Sequence, residues 1–572
     1  MPEDHSLTVG LEVDGSPLDD AIRPLLDEVV VDDYLHQPDM VTVRFLDIDR
    51  SVVSSARIKI GSKLKITATP LGGQSALPLI EAEVTAIEAD YTPSGSLAIV
   101  RGYDQLHRFQ RGRQTQTYLQ MKDSEIASQI AQRVGVEVGE ITESDHVEDY
   151  VAQTNETDWA FLQRRAREIG YQLAVDDGKF SYTKAPQASE APDEGDLQSS
   201  NPLQLVVGQD LLEFHPRLSS AEQVGDVQVR GWDMTNKQAV VGRAQAAAGS
   251  ASLQDHPASL AQLYGNPTFT SVDRPLSDQS SVDTTAKAIA DRIGSAFAEA
   301  LGVARGNPAL KAGAGISVAG VAPEFAGRYV ITSSRHVFGR DGYKTKFTVS
   351  GQLDRSMLGL TTAGLSLRPD EAPVNGVAIG LVTANDDPDE LGRVKLKLPW
   401  LADDYESSWV RVVSLGAGPQ TGAVWLPQVN DEVLVAFDHG DMRRPFVLGG
   451  LWNGQDKPPL GDGLFDNGSV KRRGFVSRRS HKIVFFDDDG DSGIALISAS
   501  GDYKIALNES DTKIHIKSGG TIEIESTQDL KIKSSAGISI EADGQLTLKG
   551  TGGVKIEGSS GVDIDGTPIT LN

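Results

Sequence analysis

Cysteine is missing from all 572 residues of the chain, which excludes disulfide scaffolds, cysteine-ligated zinc, iron–sulfur clusters and thiol nucleophiles. No apolar run reaches the roughly 18 residues that a membrane-spanning helix needs. Basic residues are few relative to acidic ones, 54 against 80, and the formal net charge is −26. This excess of acid disfavours binding to nucleic acid, which depends on neutralising phosphates with Lys and Arg. The N-terminus is acidic and lacks the basic and apolar regions of a secretory signal, so we expect a cytoplasmic chain without a signal peptide.

Aromatic residues are also scarce, at 6% of the chain, whereas glycine and proline are plentiful at 58 and 26 residues. This balance is typical of short strands and tight turns rather than long buried helices. At roughly 150 residues per domain, the length predicts about four domains. The composition therefore predicts a mainly β chain with several domains and a few helices.

The last 60 residues contain a strict eight-residue repeat, in which two aliphatic residues alternate with polar ones and a small or polar tetrad follows. Alternation with period two places both aliphatic side chains on one strand face, and the glycines of the tetrads allow a corner. The aliphatic positions, which we predict to form a needle core, are Ile514, Ile516, Ile522, Ile524, Leu530, Ile532, Ile538, Ile540, Leu546, Leu548, Val554, Ile556, Val562 and Ile564.

One octad cannot bury its own apolar face. A single chain that wound three octads into each turn would complete barely two turns, whereas three parallel chains would stack seven closed layers around one axis. The charges at outward positions fit stacking, since Glu523 and Glu525 are followed one octad later by Lys531 and Lys533. We therefore predict a homotrimeric β-helix. The alternative, a surface hairpin meander, would leave the apolar face in contact with water.

Residues 373–460 predict a small OB-type barrel. Five strands are expected at 377–384, 393–398, 408–414, 423–427 and 432–437, and an acidic turn cluster at 386–392 separates the first two. The tryptophans of this region, Trp400, Trp409, Trp425 and Trp452, are interpreted as packing residues rather than as a nucleic-acid platform.

Several short segments of this barrel, in order, resemble the VgrG and phage baseplate-V family: 380–383, 387–388, 392–395, 398–400, 408–412, 426–429, 431–437, 440–449 and 451–454. Upstream segments resemble the hub of the same family: 153–159, 161–162, 169–171, 327–331 with His336, and 342–345. Because Leu35-His36-Gln37-Pro38-Asp39-Met40 replaces the usual opening, the resemblance is closer to extracellular contractile injection particles than to type VI secretion spikes.

The resemblance implies two β-barrel-like hub modules, an OB-fold barrel and an intertwined trimeric β-helix needle. The corresponding domains are hub module 1 (1–110), a helical insertion and linker (111–202), hub module 2 (203–370), the OB-fold domain (371–460), a collar and the start of the needle (461–512), and the needle (513–572). Within the insertion we predict a helix capped by Asp123 that stops at Gly135 and a second capped by Asn155 that stops at Gly170. In module 2 we predict a helix over 284–301 capped by Asp283.

No catalytic motif is present: His-Glu-x-x-His, Gly-x-Ser-x-Gly and Walker loops are all missing. The acidic run at 487–491 lacks the glycine and the terminal glutamate of an EF-hand loop, so we interpret it as a solvated turn. The basic run from Lys471 to Lys482 is interpreted as a solvated collar with acidic neighbours. The arginines at 101, 108, 111 and 113 are expected to pair with nearby acids. We therefore expect no enzyme, no cofactor and no metal.

The resemblance implies a spike at the tip of the inner tube of a contractile injection apparatus, which punctures a target envelope mechanically. Expected partners are two further copies of the chain, the inner tube protein, baseplate proteins and a PAAR-like tip protein with its effector, with transient contact with the target membrane and none with nucleic acid. The particle resembles a phage tail and can be released from the cell. Contact with the tip protein is expected at Pro568, Ile569, Thr570, Leu571 and Asn572. The alternative is a trimeric β-helical tailspike or adhesin that binds or degrades surface glycans.

Overall fold

The computed structural model describes residues 9–570 except 70–74, 94, 194–200, 234–235, 237, 273–275, 277, 352–375, 400, 403 and 489. It contains two compact units, Met1–Asn453 and Gly454–Asn572. Among the described residues, no helix is long and apolar enough to cross a bilayer. The described helices are α1 (Val52–Ser55), α2 (Asp123–Arg133), α3 (Asp158–Ile169), α4 (Pro257–Gln262) and α5 (Gln279–Ser295). Short 3₁₀ turns lie at Arg23–Leu25, Gln105–Gln110, Ala188–Glu190, Asp438–Gly440 and Gly461–Gly463.

Strands dominate the first unit. The strands of its first half are β1 (Val9–Val13), β2 (Ser16–Pro17), β3 (Leu26–Tyr34), β4 (Met40–Leu46), β5 (Lys63–Ala68), β6 (Leu77–Thr92), β7 (Gly95–Tyr103), β8 (Gln114–Lys122), β9 (Glu137–Ile141), β10 (Val147–Glu156), β11 (Tyr171–Asp176), β12 (Lys179–Lys184) and β13 (Gln204–Val206). The next strands are β14 (Leu211–Leu218), β15 (Asp226–Asp233), β16 (Gln238–Gln245), β17 (Ala251–Ser252), β18 (Thr268–Ser271), β19 (Ala298–Arg305), β20 (Gly315–Ala319), β21 (Gly327–Val330), β22 (Ser333–Gly339) and β23 (Gly342–Val349).

The hub is organised around one eleven-stranded antiparallel sheet, in the order β14-β19-β23-β22-β3-β4-β7-β6-β5-β1-β2. Alternation explains the strands: in β4 every second residue, Val41, Val43 and Phe45, is buried, and the intervening residues are half-buried. The two predicted hub modules meet where β22 pairs with β3, with Val337 opposite Val30. They supply separate hydrophobic clusters but share this one sheet.

The insertion folds as α2 and α3 against β8–β12, around a core that includes Phe109, Phe161 and Phe180. Both helices exist where the sequence predicts them, and both stop at the predicted glycines, Gly135 and Gly170, each with a φ of 74°. Both predicted caps are wrong.

The Asp123 side chain does not cap α2, because its carboxylate accepts hydrogen bonds from Arg165. The N-cap is Lys122, whose backbone N–H donates to Glu125. α3 is capped by Thr157, whose hydroxyl accepts from the Ala160 N–H, because Asn155 lies at a register shift between β10 and β8.

The Ala-rich helix of module 2, α5, starts earlier and ends earlier than predicted. The Asp278 carboxylate, rather than that of Asp283, caps it by accepting from the Ser281 N–H. The residues from 298 onward, predicted as helix, form β19, because they pair with β14 on one side and β23 on the other. The predicted linker at 186–202 is partly packed, since Ala188 is buried; its residues 194–200 lie outside the described residues.

The OB region has a closed barrel. Its strands and its short hairpin are β24 (Val377–Ala384), β25 (Lys395–Lys397), β26 (Arg411–Val412), β27 (Ala417–Gly418), β28 (Thr421–Gly422), β29 (Glu432–Phe437) and β30 (Pro445–Gly450). The sheet order is β25-β24-β29-β30-β26. Paired hydrogen bonds between Val394 and Val410, of 2.9 and 2.7 Å, close the sheet on itself. The predicted strand at 423–427 is wrong, because these residues follow the short β27–β28 hairpin without strand pairing.

The second unit contains a two-stranded hairpin, β31 (Phe465–Asp466) and β32 (Ser469–Val470), and a five-stranded antiparallel meander. The meander strands are β33 (Arg472–Val476), β34 (Lys482–Asp488), β35 (Asp491–Ile497), β36 (Lys504–Asn508) and β37 (Lys513–Lys517). The octads from residue 518 to 570 follow the last of these strands.

Candidate functional site

The meander carries two apolar ladders on one face. The first runs across the strands from Phe475 through Ile483, Leu496 and Ile505 to Ile516, each residue directly opposite the next. The second joins Phe485, Ile494, Leu507 and Ile514 in the same way. All nine side chains are at least 40% exposed, so this face of the sheet stays exposed to solvent in the single chain.

The octad stripe continues from these ladders. Its first pair, Ile514 and Ile516, lies in β37, the last strand of the meander. The structure therefore places the first octad in an antiparallel sheet and the remaining six beyond it. Only this first octad lies in an antiparallel meander, the alternative considered for the octads, because the meander ends at Lys517.

The backbone of the later octads repeats with the same period as the sequence. At Ser518, Ser526 and Ser534, eight residues apart, the hydroxyl accepts a hydrogen bond from the N–H two residues on. At Gly550 and Gly558, at the same corner position, the carbonyl instead accepts from the N–H three residues on. The corners predicted from the small and polar tetrads are therefore local turns that the chain makes by itself.

The aliphatic side chains of the stripe are not buried within the chain. All fourteen predicted core residues are between 50% and 71% exposed, Val562 least and Ile532 most. Apart from two corner turns, no backbone hydrogen bond joins residues 518–570 to one another or to other described residues. A strand-like segment with an exposed aliphatic face and unpaired backbone is stable in water only if other chains cover it.

Charged side chains beside the stripe are solvated. Lys531 Nζ lies 3.2 Å from Oδ2 of Asp529, the last residue of the preceding octad, and both side chains are at least 80% exposed. Lys555 pairs in the same way with Glu557. Exposed pairs of this kind contribute little to stability.

The basic run of the collar has an acidic neighbour, as predicted, and also an aromatic one. Arg473 forms an ion pair with Asp487, and the Arg472 guanidinium lies 5.6 Å from the centre of the Phe486 ring. In the acidic run at 487–491, β34 ends at Asp488, which pairs with Asp491 at the start of β35, and Asp489 lies outside the described residues. Among the residues that the structure describes, no group of acidic or histidine side chains could hold a metal ion.

The predicted tip contacts are described only in part. Ile569 is 51% exposed, Pro568 and Thr570 are exposed beside it, and Leu571 and Asn572 lie outside the described residues. The tip contact stays a prediction.

Two of the barrel tryptophans are mostly exposed in the single chain. Trp425 is 62% exposed and Trp452 is 69% exposed, so the single chain does not bury them as the interpretation as packing residues expects. Trp409 lies under Lys395, whose Nζ is 5.5 Å from the ring centre. Trp400 lies outside the described residues.

The hub contains two buried ionic groupings, which the sequence argument missed. Arg165, 3% exposed, donates to both carboxylate oxygens of Asp123 at 2.7 and 2.9 Å and also contacts Glu148 and Glu168. Asp123 and Arg165 are 42 positions apart in sequence, so no local pattern could have revealed their contact. By contrast, the predicted pairing of surface arginines is confirmed for Arg101 with Glu88 and Arg108 with Glu83.

The second grouping is a pair of buried carboxyls at the seam between the two halves of the sheet. Asp33 accepts from the Ala312 N–H at 3.0 Å, and Asp104 accepts from the Leu106 N–H at 3.0 Å. Burial raises the pKa of Asp33 to about 6 and that of Asp104 to about 8. These carboxyls hold protons at a pH where an exposed aspartate is ionised.

The sequence of the barrel resembles that of a known family. The family model of the type VI secretion system/phage-baseplate injector OB domain matches residues 378–452, which contain the closed barrel. The type VI secretion system spike protein VgrG3 of Vibrio cholerae is 30% identical over 132 residues. These matches support the assignment of the chain to the VgrG and phage-baseplate hub-spike family. A second family model, the Alg8 N-terminal domain, matches residues 80–339.

The fold agrees with this family. The structure of the lidded Francisella PdpA–VgrG complex has a TM-score of 0.52 to this chain, with 10% sequence identity, and the match covers 90% of this chain and 81% of that one. The expected fold class, mainly β with a few helices and an OB barrel, is confirmed. A closer likeness to extracellular particles than to type VI spikes stays a prediction.

The curated relatives are much longer than the segments they share with this chain. The match to VgrG3 covers 22% of this chain and 13% of that protein. The actin cross-linking toxin VgrG1 of Vibrio cholerae is 28% identical over 145 residues, which are 24% of this chain and 13% of the toxin. That toxin shows that a relative of this chain can carry an enzymatic activity, so the absence of enzymatic activity here stays an expectation.

Proposed function

We propose that the protein is the homotrimeric spike, hub plus needle, at the tip of the inner tube of a contractile injection system. The observation that carries this proposal is the aliphatic stripe of fourteen side chains, each at least half exposed in the single chain. Three copies in parallel would place these side chains on a common axis, and the unpaired backbone of each octad would pair with the neighbouring chains.

The exposed ladders of the meander belong to the same interface in this proposal. They share Ile514 and Ile516 with the octad stripe, so the apolar surface is continuous from the collar into the needle. Since a face of nine large apolar side chains rarely stays exposed on a soluble protein, we infer that the three meanders also pack against one another.

The mechanism is mechanical. A closed prism without sheet edges transmits force along its axis, and sheath contraction would drive the needle through the target envelope without any bond being made or broken. In this proposal the hub seats on the inner tube protein and contacts the baseplate proteins. The protein is assembled in the cytoplasm and becomes part of a phage-tail-like particle. In the related Francisella structure, VgrG forms a complex with PdpA, which supports a spike that holds further proteins.

The end of the needle would receive a PAAR-like tip protein and its effector through Pro568, Ile569, Thr570, Leu571 and Asn572. The full-length protein should have the mass of three 61.1 kDa chains, about 183 kDa, by light scattering. Deletion of residues 566–572 should leave that mass unchanged and abolish co-purification of the tip protein. A monomer at micromolar concentration would contradict the spike, whereas a truncated trimer that retains the tip protein would contradict only the tip contact.

A further inference from the structure

A cavity of about 50 Å³ lies inside the hub, at the meeting point of three parts of the chain. The loop between β3 and β4 contributes His36, helix α3 contributes Gln163 and Arg167, and helix α5 contributes Ala288 and Arg292. The cavity belongs to the hub and is independent of the needle.

Two helix faces build the polar wall. Gln163 and Arg167 are four residues apart on α3, and Ala288 and Arg292 are four residues apart on α5, so each pair projects from one face of its helix. The small side chain of Ala288 leaves the space that a larger residue would occupy. His36, Arg167 and Arg292 are half-buried, so the cavity is accessible to small solutes.

The charge of the lining is unlike that of the chain. The protein has a net charge of −26, yet none of the fifteen described residues that line the cavity is acidic, and two of them are arginines. Arginine presents a planar fork of N–H donors that matches the oxygens of an oxyanion.

An independent observation comes from Gln163. Its side chain is 5% exposed, and its Nε2 is buried without a hydrogen-bond acceptor among the described residues. A buried amide donor without an acceptor destabilises the folded state. A ligand that offers only acceptor oxygens would satisfy Gln163 and the positive lining at once.

We propose that this cavity binds a small inorganic oxyanion of the phosphate or sulfate class, which holds the loop, the insertion and module 2 together. The volume is several times the roughly 10–15 Å³ that one water needs, and it suits a single tetrahedral anion. The competing explanation is that Arg167 and Arg292, each in the last turn of its helix, stabilise the C-terminal carbonyls and the cavity holds only water.

The test uses full-length protein and inorganic phosphate, with sodium chloride at matched ionic strength as the reference. Calorimetric titration should show saturable binding, and the melting temperature of the hub should rise with phosphate to a plateau. Arg292→Gln should weaken binding at least tenfold. Ala288→Leu, which fills the space without a change of charge, should abolish binding. Arg101→Gln is the matched control, because it removes one surface arginine of the hub and should bind phosphate like the wild type.

Two results would overturn the proposal. One is a phosphate response that does not saturate or that chloride reproduces, which would mean that the cavity holds water only. The other is equal binding by the wild type, Arg292→Gln and Ala288→Leu, which would place the anion elsewhere. Because the two cavity variants change charge and volume separately, misfolding of one leaves the other to decide.

Discussion

The trimeric needle makes one strong prediction at Ile532, which lies at the middle of the octad stripe and is 71% exposed in the single chain. A fully buried isoleucine contributes about 1.5–3 kcal/mol. The exposed 71% therefore leaves about 1–2 kcal/mol per chain, or about 3–6 kcal/mol per trimer, to be gained on association. Ile532→Asp removes this gain and places three carboxylates close together on a dry axis, which adds desolvation and repulsion.

We expect Ile532→Asp to lower the thermal stability of the trimer sharply or to leave monomers, measured by light scattering and thermal unfolding at pH 7.5. Burial on the axis raises the pKa of the introduced carboxyls, so the trimer binds more protons than the separated chains. Stability should therefore recover as the pH falls towards 4. Thr547→Asp is the control, because it adds the same charge at an exposed position between two stripe residues and should behave like the wild type. Trimers of Ile532→Asp with unchanged stability would refute the prism.

Three predictions concern the hub, each measured by the unfolding of the purified protein. Asp104 keeps its proton up to about pH 8 when folded and loses it near pH 4 when unfolded, so hub stability should fall as the pH rises through this window. Asp104→Asn should reduce this dependence, to which Asp33 also contributes, and an unchanged slope would contradict the buried acid. Arg165→Met leaves the buried Asp123 unpaired and should cost about 3–5 kcal/mol, whereas the exposed Arg101→Met should cost at most about 1 kcal/mol. Gly242→Ala would place a Cβ 2.3 Å from the Val282 carbonyl oxygen and should lower the free energy of unfolding by about 1–3 kcal/mol. Gly449→Ala, with no atom within 4 Å of the added Cβ, should lower it much less. Equal losses in the two variants would contradict the close approach of α5 to β16.

The helices show which local sequence signals were sufficient to predict an element and its ends. The periodicity of Ile126 and Ile130 and the glycines at 135 and 170 predicted α2 and α3 and their ends, because helix stripes and left-handed stop residues depend only on near neighbours. The caps at Asp123 and Asn155 failed for tertiary reasons. Arg165, 42 residues away, binds the Asp123 carboxylate, and a bulge in the β10–β8 pair holds the backbone of Asn155.

The strand errors have the same origin. The alanine-rich residues after 297 favour a helix, but the hub sheet provides hydrogen-bonding partners on both sides of β19. Pairing in the sheet outweighs the small free-energy preference of alanine for a helix. In the barrel, β24 and β29 were predicted to the residue because each is a short apolar run bounded by turn residues. Strand β30, Pro445–Gly450, was missed; it pairs antiparallel with β29 across a register shift at Leu434 and Val435, which no local pattern reveals.

The sequence by itself determined the mainly β class, the barrel, the family and the eight-residue period of the stripe with its corners, since alternation, turn residues and repeats are properties of neighbouring residues. Only the tertiary structure decided that the two halves of the hub share one sheet, that the first octad lies in an antiparallel meander, and that a positively lined cavity lies where α3, α5 and the β3–β4 loop meet. These features join residues that are far apart in the chain, and their geometry depends on which surfaces the whole fold brings together.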